Sequence, residues 1–201
     1  MKKLELAMLL GMIISVFSAG FCGFAEEYDS ITDTVFRLHI LANSDSNEDQ
    51  TLKLKVRDAI LEECSYLFED CENAEQSAEV AEDNMEYIRS TAEKVITENN
   101  YYYDVKCEVA EMYFDKRVYD SVTMPAGKYS ALRITIGEAK GKNWWCVMFP
   151  PLCIPAVSGE IEDYEGVFTD EELEMLNNPE NYECRFYILE LVEKLKMHFE
   201  N

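Results

Sequence analysis

Both tryptophans of the chain lie in one stretch, Gly141-Lys-Asn-Trp-Trp-Cys-Val-Met-Phe-Pro-Pro-Leu-Cys153, together with two of its seven cysteines. Residues 144–149 are apolar on both sides of a two-residue period, which is typical of a strand buried on both faces. Proline lacks the amide proton that a strand ladder needs, so Pro150-Pro151 should end this strand and turn the chain. Trp144 and Trp145 then point to opposite faces. One can fill the core, and the other must meet a helix layer or a partner.

Strand and helix periods alternate along the preceding sequence. Residues 35–42 place apolar side chains on one face and Arg37 and His39 on the other, which predicts a strand. Ser46 can cap a helix over 47–69 whose polar face carries Lys53 and Arg57. A narrow apolar stripe predicts a second helix over 74–98.

The later elements are predicted to be strands followed by a helical C-terminus. Residues 103–114 and 129–136 read as strands, and we expect the second to form a hairpin with the Trp-Trp strand. Thr169-Asp-Glu-Glu172 is a capping-box sequence that opens a short helix, and an amphipathic element follows Pro179. The order β-α-α-β-β-β-α favours an α+β fold, with helices packed on one face of a small antiparallel sheet.

Composition favours one core and excludes anionic partners. The chain has 201 residues, 48% of them hydrophobic, so we expect a single globular domain over 26–201. Forty acidic and 18 basic residues give a net charge of −22, which disfavours nucleic acid. The C-terminal region from about residue 159 is the most acidic part. It is either a solvated face or a docking surface for a basic partner.

The N-terminus has the pattern of an export signal. Lys2 and Lys3 precede an apolar run, and Gly23-Phe-Ala25 offers small residues for cleavage before Glu26. We expect residues 1–25 to be a signal peptide. The alternative is an uncleaved anchor, because residues 6–25 are uncharged over about the length that a spanning helix needs. In either case we expect the body of the protein outside the cytoplasm, with membrane contact only through this segment if it is uncleaved.

No residue pattern predicts catalysis. The two histidines, His39 and His198, lie far apart in sequence and in no recognisable catalytic context. Phosphate loops, dinucleotide fingerprints and metal-ligand spacings do not occur, so we expect no cofactor, no metal and no small-molecule substrate. The alternative is a secreted thiol hydrolase or wall-acting enzyme, in which Cys146 or Cys153 would act with His39 as base.

The cysteines are better explained as structural. Removal of the signal peptide leaves six, an even number in an exported protein, which favours disulfides. Cys146 and Cys153 are the best pair, because Pro150-Pro151 can fold the chain back between them. Both can also be buried thiols. The other four allow three pairings, and the sequence does not choose among them.

Three blocks of sequence carry a resemblance to a known family. Taken in order, residues 36–59, residues 125–133 and the Trp-Trp stretch resemble stage II sporulation protein R, the secreted forespore signalling protein of endospore-forming Firmicutes. The resemblance covers roughly residues 34–155. The matching positions are Arg37, Leu38, Asn43, Ser44, Asp45, Ser46, Asp49, Gln50, Lys53, Arg57, Asp58, Pro125, Ala126, Gly127, Tyr129 and Asn143 through Cys153.

The resemblance implies a ligand and not a catalyst. Members of this family are exported into the space between the forespore and mother-cell membranes. There they activate a membrane-embedded aspartic protease, stage II sporulation protein GA, which cleaves pro-sigma-E. For this chain the resemblance therefore implies secretion into the intermembrane space and that protease as partner.

The first helix and the loop before it are our predicted contact surface. Exposed Lys53 and Arg57, one turn apart beside Asp49, carry more of the motif than a helix start requires, and loops at strand–helix junctions often bind partners. The alternative is that the loop only ends the strand and caps the helix. The predicted partner-binding residues are Arg37, Asn43, Asp45, Asp49, Lys53, Arg57, Trp144 and Trp145.

Overall fold

The computed structural model describes residues 2–119, 122–150 and 167–200. The chain divides into two compact units. Unit 1 comprises residues 1–31, 115–127 and 169–201, and unit 2 comprises residues 32–114 and 128–168. The prediction of a single domain over 26–201 stays a prediction, because a division into compact units does not test independent folding.

Unit 2 is built on a mixed sheet of four strands, which are β1 (Phe36–Leu41), β2 (Val105–Phe114), β5 (Gly127–Ile136) and β6 (Asn143–Phe149). Their order across the sheet is β2-β5-β1-β6. The central strand β1 pairs in parallel with β5, where Arg37 lies opposite Ala131, and antiparallel with β6, where His39 lies opposite Trp145. Burial of both faces of β1 is nearly complete.

Helices pack against this sheet through the apolar positions that the sequence periodicity identified. Leu52, Val56 and Ile60 of the first are buried, and Ile88 and Ala92 are buried further along the chain. The predicted second helix is two helices, because the chain breaks at Asn84, which caps the first of them. The helices are α2 (Asn47–Cys64), continued by a 3₁₀ turn at Ser65–Phe68, α3 (Ala74–Asp83) and α4 (Met85–Glu98).

The α+β class predicted from the sequence is confirmed, but two details of the sheet are wrong. The sheet is mixed and not antiparallel, since β1 and β5 run in parallel. The predicted hairpin between β5 and β6 does not form either, because β1 lies between these strands. Local turn residues favoured the hairpin, but β1 pairs with both strands and buries its apolar side chains in doing so.

Unit 1 combines helices with a short strand pair, β3 (Arg117–Tyr119) and β4 (Val122–Met124). Its first helix, α1 (Lys2–Thr34), runs without a break past the predicted cleavage site at Ala25. The capping box predicted at Thr169 is confirmed: Thr169 Oγ1 accepts from the Glu172 amide, and Glu172 Oε2 accepts from the Thr169 amide. The remaining helices are α5 (Asp170–Asn177), a 3₁₀ turn at Pro179–Tyr182 and α6 (Glu183–Glu200). Within the described residues, no helix combines the length and the apolarity needed to cross a membrane.

Candidate functional site

The loop between β1 and α2 closes on the turn between β5 and β6. We call residues 42–46 together with residues 137–142 the clasp. Two of its bonds are between backbone groups and two use side chains of the loop, so main chain and motif residues fix the same geometry. The four are Lys140 N to Asn43 O (3.1 Å), Gly141 N to Ala42 O (2.9 Å), Glu138 N to Asn43 Oδ1 (3.0 Å) and Lys142 N to Asp45 Oδ1 (2.7 Å).

Two glycines make this close approach possible. Gly137 has a φ of +58°, a conformation that other residues adopt only with strain. A Cβ on Gly137 would overlap the Asn43 side chain, and a Cβ on Gly141 would overlap the backbone carbonyl of Ser44. The sequence showed these glycines only as the bounds of a turn. Their contact with the loop depends on the pairing of residues 42–46 with residues 137–142, which are distant in sequence.

The first turn of α2 is tied into the clasp by Asp49. Its Oδ2 accepts from Asn43 Nδ2 (2.9 Å) and Ser44 Oγ (2.6 Å), while Ser46 caps the helix by accepting from the Asp49 amide (3.1 Å). Burial opposes ionisation of Asp49, but hydrogen bonds, from Ser44, Asn43, Tyr103 and Ser46 in that order, outweigh it and hold the Asp49 pKa below its ordinary value. Asp49 is therefore a structural carboxylate.

Lys53 is a buried cation and not an exposed one. Its Nζ donates to Gln50 Oε1 (2.7 Å) and to the carbonyl of Lys142 (2.9 Å), so it joins α2 to the clasp turn. Burial lowers its pKa from the ordinary value. The predicted exposed face is therefore wrong at two positions, because Lys53 is 3% and Asp49 is 5% exposed.

The outer part of the predicted surface does remain accessible. Arg57 lies over the Trp144 ring, with its guanidinium carbon 4.4 Å from the ring centre, and its Nε donates to Asp58 Oδ1 (2.7 Å). Trp144 and Arg57 are half-buried, while Asp45 and Lys142 are exposed at the rim of the clasp. A cation over an aromatic ring forms a flat, rigid element that a partner can contact.

The other predicted residues lie on the opposite face of the sheet. Arg37 is fully buried, with its guanidinium carbon 4.2 Å from the Phe114 ring and 4.8 Å from the Tyr129 ring. The sequence placed Arg37 and His39 on a polar face. That interpretation is wrong, because aromatic side chains from distant strands cover this face. Phe114 and Tyr129 were missed as site residues, although Tyr129 is one of the positions that match the family.

His39 stacks on Trp145, with ring centres 3.9 Å apart and the planes 6° from parallel. Its Nε2 lies 2.8 Å from Asn143 Oδ1. Because the Asn143 oxygen can only accept, Nε2 carries the proton. Burial lowers the His39 pKa, the bond to Asn143 opposes the shift, and the charges of Arg133 and Lys53 add to it. His39 is thus a neutral, packed side chain.

This geometry removes the thiol-hydrolase mechanism that pairs Cys146 with His39. In the β1–β6 register Cys146 lies opposite Leu38, whereas His39 lies opposite Trp145. Neighbouring residues of a strand point to opposite faces, so the Cys146 sulfur and the His39 ring are separated by the sheet. Burial raises the pKa of Cys64 to about 11 and that of Cys107 to about 12, so neither is an activated thiol.

The predicted disulfide falls partly outside the described residues. Cys146 is buried, but Cys153 is not described, so this pairing stays a prediction. Bridges among the other four cysteines after residue 25 are not formed, since Cys64, Cys71, Cys107 and Cys184 are free. Over the described part of the chain there is also no group of three or more histidine, cysteine or carboxylate side chains that could hold a metal ion.

Fold and site together define a class: a small α+β protein in which a glycine-dependent clasp supports a half-exposed Trp–Arg pair. The chain belongs to the stage II sporulation protein R family, whose model matches residues 32–158. It is similar to stage II sporulation protein R of Bacillus subtilis (strain 168), with 37% identity over 123 residues. The match covers 61% of this chain and 55% of that protein, so the chain spans about half the length of this relative. No solved structure matches the chain.

Proposed function

We propose that this protein is an exported sporulation signal that binds the external face of a membrane-embedded aspartic protease, stage II sporulation protein GA. Binding would activate that protease to cleave pro-sigma-E. The site of action would be the space between the forespore and mother-cell membranes. Family membership over residues 32–158 supports the sporulation role. The export pattern of the N-terminus supports the location.

One observation carries the proposal of a ligand. The side chains of Asn43, Asp45 and Lys53 from the first motif block converge on the clasp. They bond backbone groups of Glu138 and Lys142 and so hold a loop, a turn and a helix together. These groups are engaged with each other, as expected for a rigid recognition surface. A catalytic set would instead aim a base and a nucleophile at one empty position.

The predicted contact residues differ in burial, and we propose a different role for each group. Arg37, Asp49 and Lys53 are buried and would support the surface from inside. Asp45, Arg57 and Trp144 are accessible at the rim and would meet the protease. Buried supports keep the rim in one conformation, which reduces the entropy lost on binding.

Activation needs no chemistry from this chain. A ligand that binds the active arrangement of a protease more tightly than the inactive one shifts its population toward activity. A shift from 1% to 99% active requires a difference in affinity of about 10⁴-fold. The Trp144–Arg57 pair is suited to such discrimination, because tryptophan and arginine dominate the energetics of protein interfaces.

Complementation in the spore-forming host tests this proposal. Deletion of the gene should leave pro-sigma-E unprocessed, as measured by immunoblot, and the wild-type gene should restore processing. The double variant Arg57→Ala/Trp144→Ala should be exported and folded but should not restore it. Arg89→Ala is the matched control, since Arg89 is an exposed arginine paired with Glu86 on α4. Normal processing in the deletion strain would refute the signalling role, and full activity of the double variant would refute this surface.

A further inference from the structure

Helix α6 exposes six large apolar side chains on one side, of which Phe199, 83% exposed, lies at the end of the helix. The other five lie closer together along it. Tyr187 is 67%, Ile188 45%, Leu191 48%, Val192 39% and Leu195 49% exposed. At 3.6 residues per turn these positions fall within an arc of about 140°. We call these five residues the α6 stripe. Apolar side chains gathered in this way mark an interaction surface, whereas scattered ones need no explanation.

The other side of α6 is already used within unit 1. Phe186 packs against Phe24, with ring centres 5.2 Å apart, and against Tyr28 at 6.3 Å. Tyr182, just before the helix, stacks on Phe24 at 5.8 Å. The helix is thus held by its aromatic side. The stripe can therefore be altered without removing the contacts that position α6.

Carboxylates follow one side of the stripe. Glu183 and Glu190 lie there at helical spacing, and with Tyr187, Ile188 and the cation Lys116 they line a groove of about 570 Å³. Two cations among the described side chains of this helix are engaged: Lys194 pairs with Glu190 at 2.5 Å, and Arg185 lies 5.5 Å from the Phe24 ring centre. The exposed acids of the preceding segment are Asp170, Glu171, Glu174 and Glu180.

We propose that the α6 stripe docks an amphipathic helix of a partner protein. The partner's apolar residues would cover the stripe, and its lysines or arginines would lie beside Glu183 and Glu190. A helix laid on such a surface is a common mode of recognition. A net charge of −22 opposes a second copy of this chain and an anionic membrane, since both bring further negative charge. The stripe lies outside residues 32–158, so this interaction is additional to the signalling function proposed above.

A designed peptide tests the chemistry. A labelled 20-residue Leu/Lys helix should bind the full chain in fluorescence anisotropy, and a Leu/Glu helix of the same pattern should bind at least about tenfold more weakly. Ile188→Ser/Leu191→Ser should weaken binding of the Leu/Lys helix by about tenfold or more. Glu183→Gln/Glu190→Gln should weaken it and reduce its dependence on salt. Tyr102→Ser is the matched control, because Tyr102 is a 92% exposed aromatic residue of unit 2.

Circular dichroism establishes that each variant is folded, and Leu195→Ser serves as a second, milder change of the stripe. Equal affinity of wild type and stripe variants for the Leu/Lys helix would overturn the inference, as would equal affinity for the two peptides. Self-association in sedimentation that the stripe variants abolish would assign the surface to a second copy. Stripe-dependent binding to phosphatidylcholine vesicles, with no affinity for either peptide, would assign it to lipid.

Discussion

At the residue scale, Lys53 is a charged side chain that stabilises the interior through hydrogen bonds. Its ammonium group donates to Gln50 and to the backbone carbonyl of Lys142, and the side chain is 3% exposed. We predict that Lys53→Ala lowers the free energy of unfolding by about 1–3 kcal/mol, because it removes both hydrogen bonds that the buried ammonium group donates. Urea denaturation measures this change.

Lys55→Ala is the control for Lys53, since Lys55 lies on the same helix and is exposed. Its loss should change the free energy of unfolding by less than about 0.5 kcal/mol. Equal effects of the two variants would contradict an internal role for Lys53. The sequence had suggested the reverse, that Lys53 could be removed at little cost.

His39 makes stability depend on pH. Its folded-state pKa lies below the ordinary value of 6.5, chiefly because of burial. The unfolded chain therefore takes up the proton first as the pH falls. We predict that the free energy of unfolding decreases from about pH 6.5 downward, until the folded-state pKa is reached. Urea titrations at pH 8, 7, 6 and 5 measure this slope.

His39→Gln should flatten that part of the pH profile, because glutamine does not titrate. His198→Gln should keep the wild-type slope and so separates the two histidines of the chain. An unchanged profile in His39→Gln would show that His39 is not the group responsible. Comparison with wild type at each pH cancels the contribution of the many carboxylates.

The clasp is the element that depends most on glycine. We predict that Gly141→Ala lowers the free energy of unfolding by about 2–3 kcal/mol, because the added Cβ meets the rigid backbone carbonyl of Ser44. Gly23→Ala is the matched control, since a Cβ there meets nothing within 4 Å. Thermal unfolding of the full chain compares them. A Gly141→Ala variant as stable as Gly23→Ala would mean that the loop and the turn are not in close contact.

Elements that depend on neighbouring residues were predictable from the sequence. The Ser46 cap, the Thr169 capping box and the end of β6 at Phe149 all follow from local chemistry and are confirmed. Pairing between distant strands was not predictable in the same way. The position of β1 between β5 and β6 decides that Arg37 and His39 are buried, and no local pattern contains that information.

In the candidate site, too, the local features were predictable from the sequence and the long-range contacts were not. Its motif residues were identified from the sequence, and Trp144 and Trp145 do point to opposite faces, toward Arg57 and His39 respectively. Their roles were assigned wrongly where burial depends on a distant partner. Lys53, near the start of α2, was taken as exposed. The clasp turn, which lies about 90 residues later in the chain, covers it.

At the scale of the whole molecule, the predicted signal peptide is also part of the packing of unit 1. Phe24 is 2% and Tyr28 is 4% exposed, and both contact the α6 aromatic side. Cleavage after Ala25 would remove Phe24 and leave Tyr28. The cleaved form would then hold α6 less tightly than the uncleaved chain does. Mass spectrometry of the protein isolated from its host determines which form is present.

We predict that a chain of residues 26–201 exchanges the amide protons of α6 at least about tenfold faster than the full chain, since losing a buried aromatic contact costs more than 1.4 kcal/mol of local stability. Phe24→Ala in the full chain is the control that keeps the length of α1, and it should accelerate exchange in α6 in the same direction. Amides of β1 and β5 in unit 2 should exchange at unchanged rates in both variants. Unchanged protection of α6 after truncation would show that Phe24 does not hold this helix, whereas faster exchange throughout the chain would show that unit 2 also depends on the N-terminal segment.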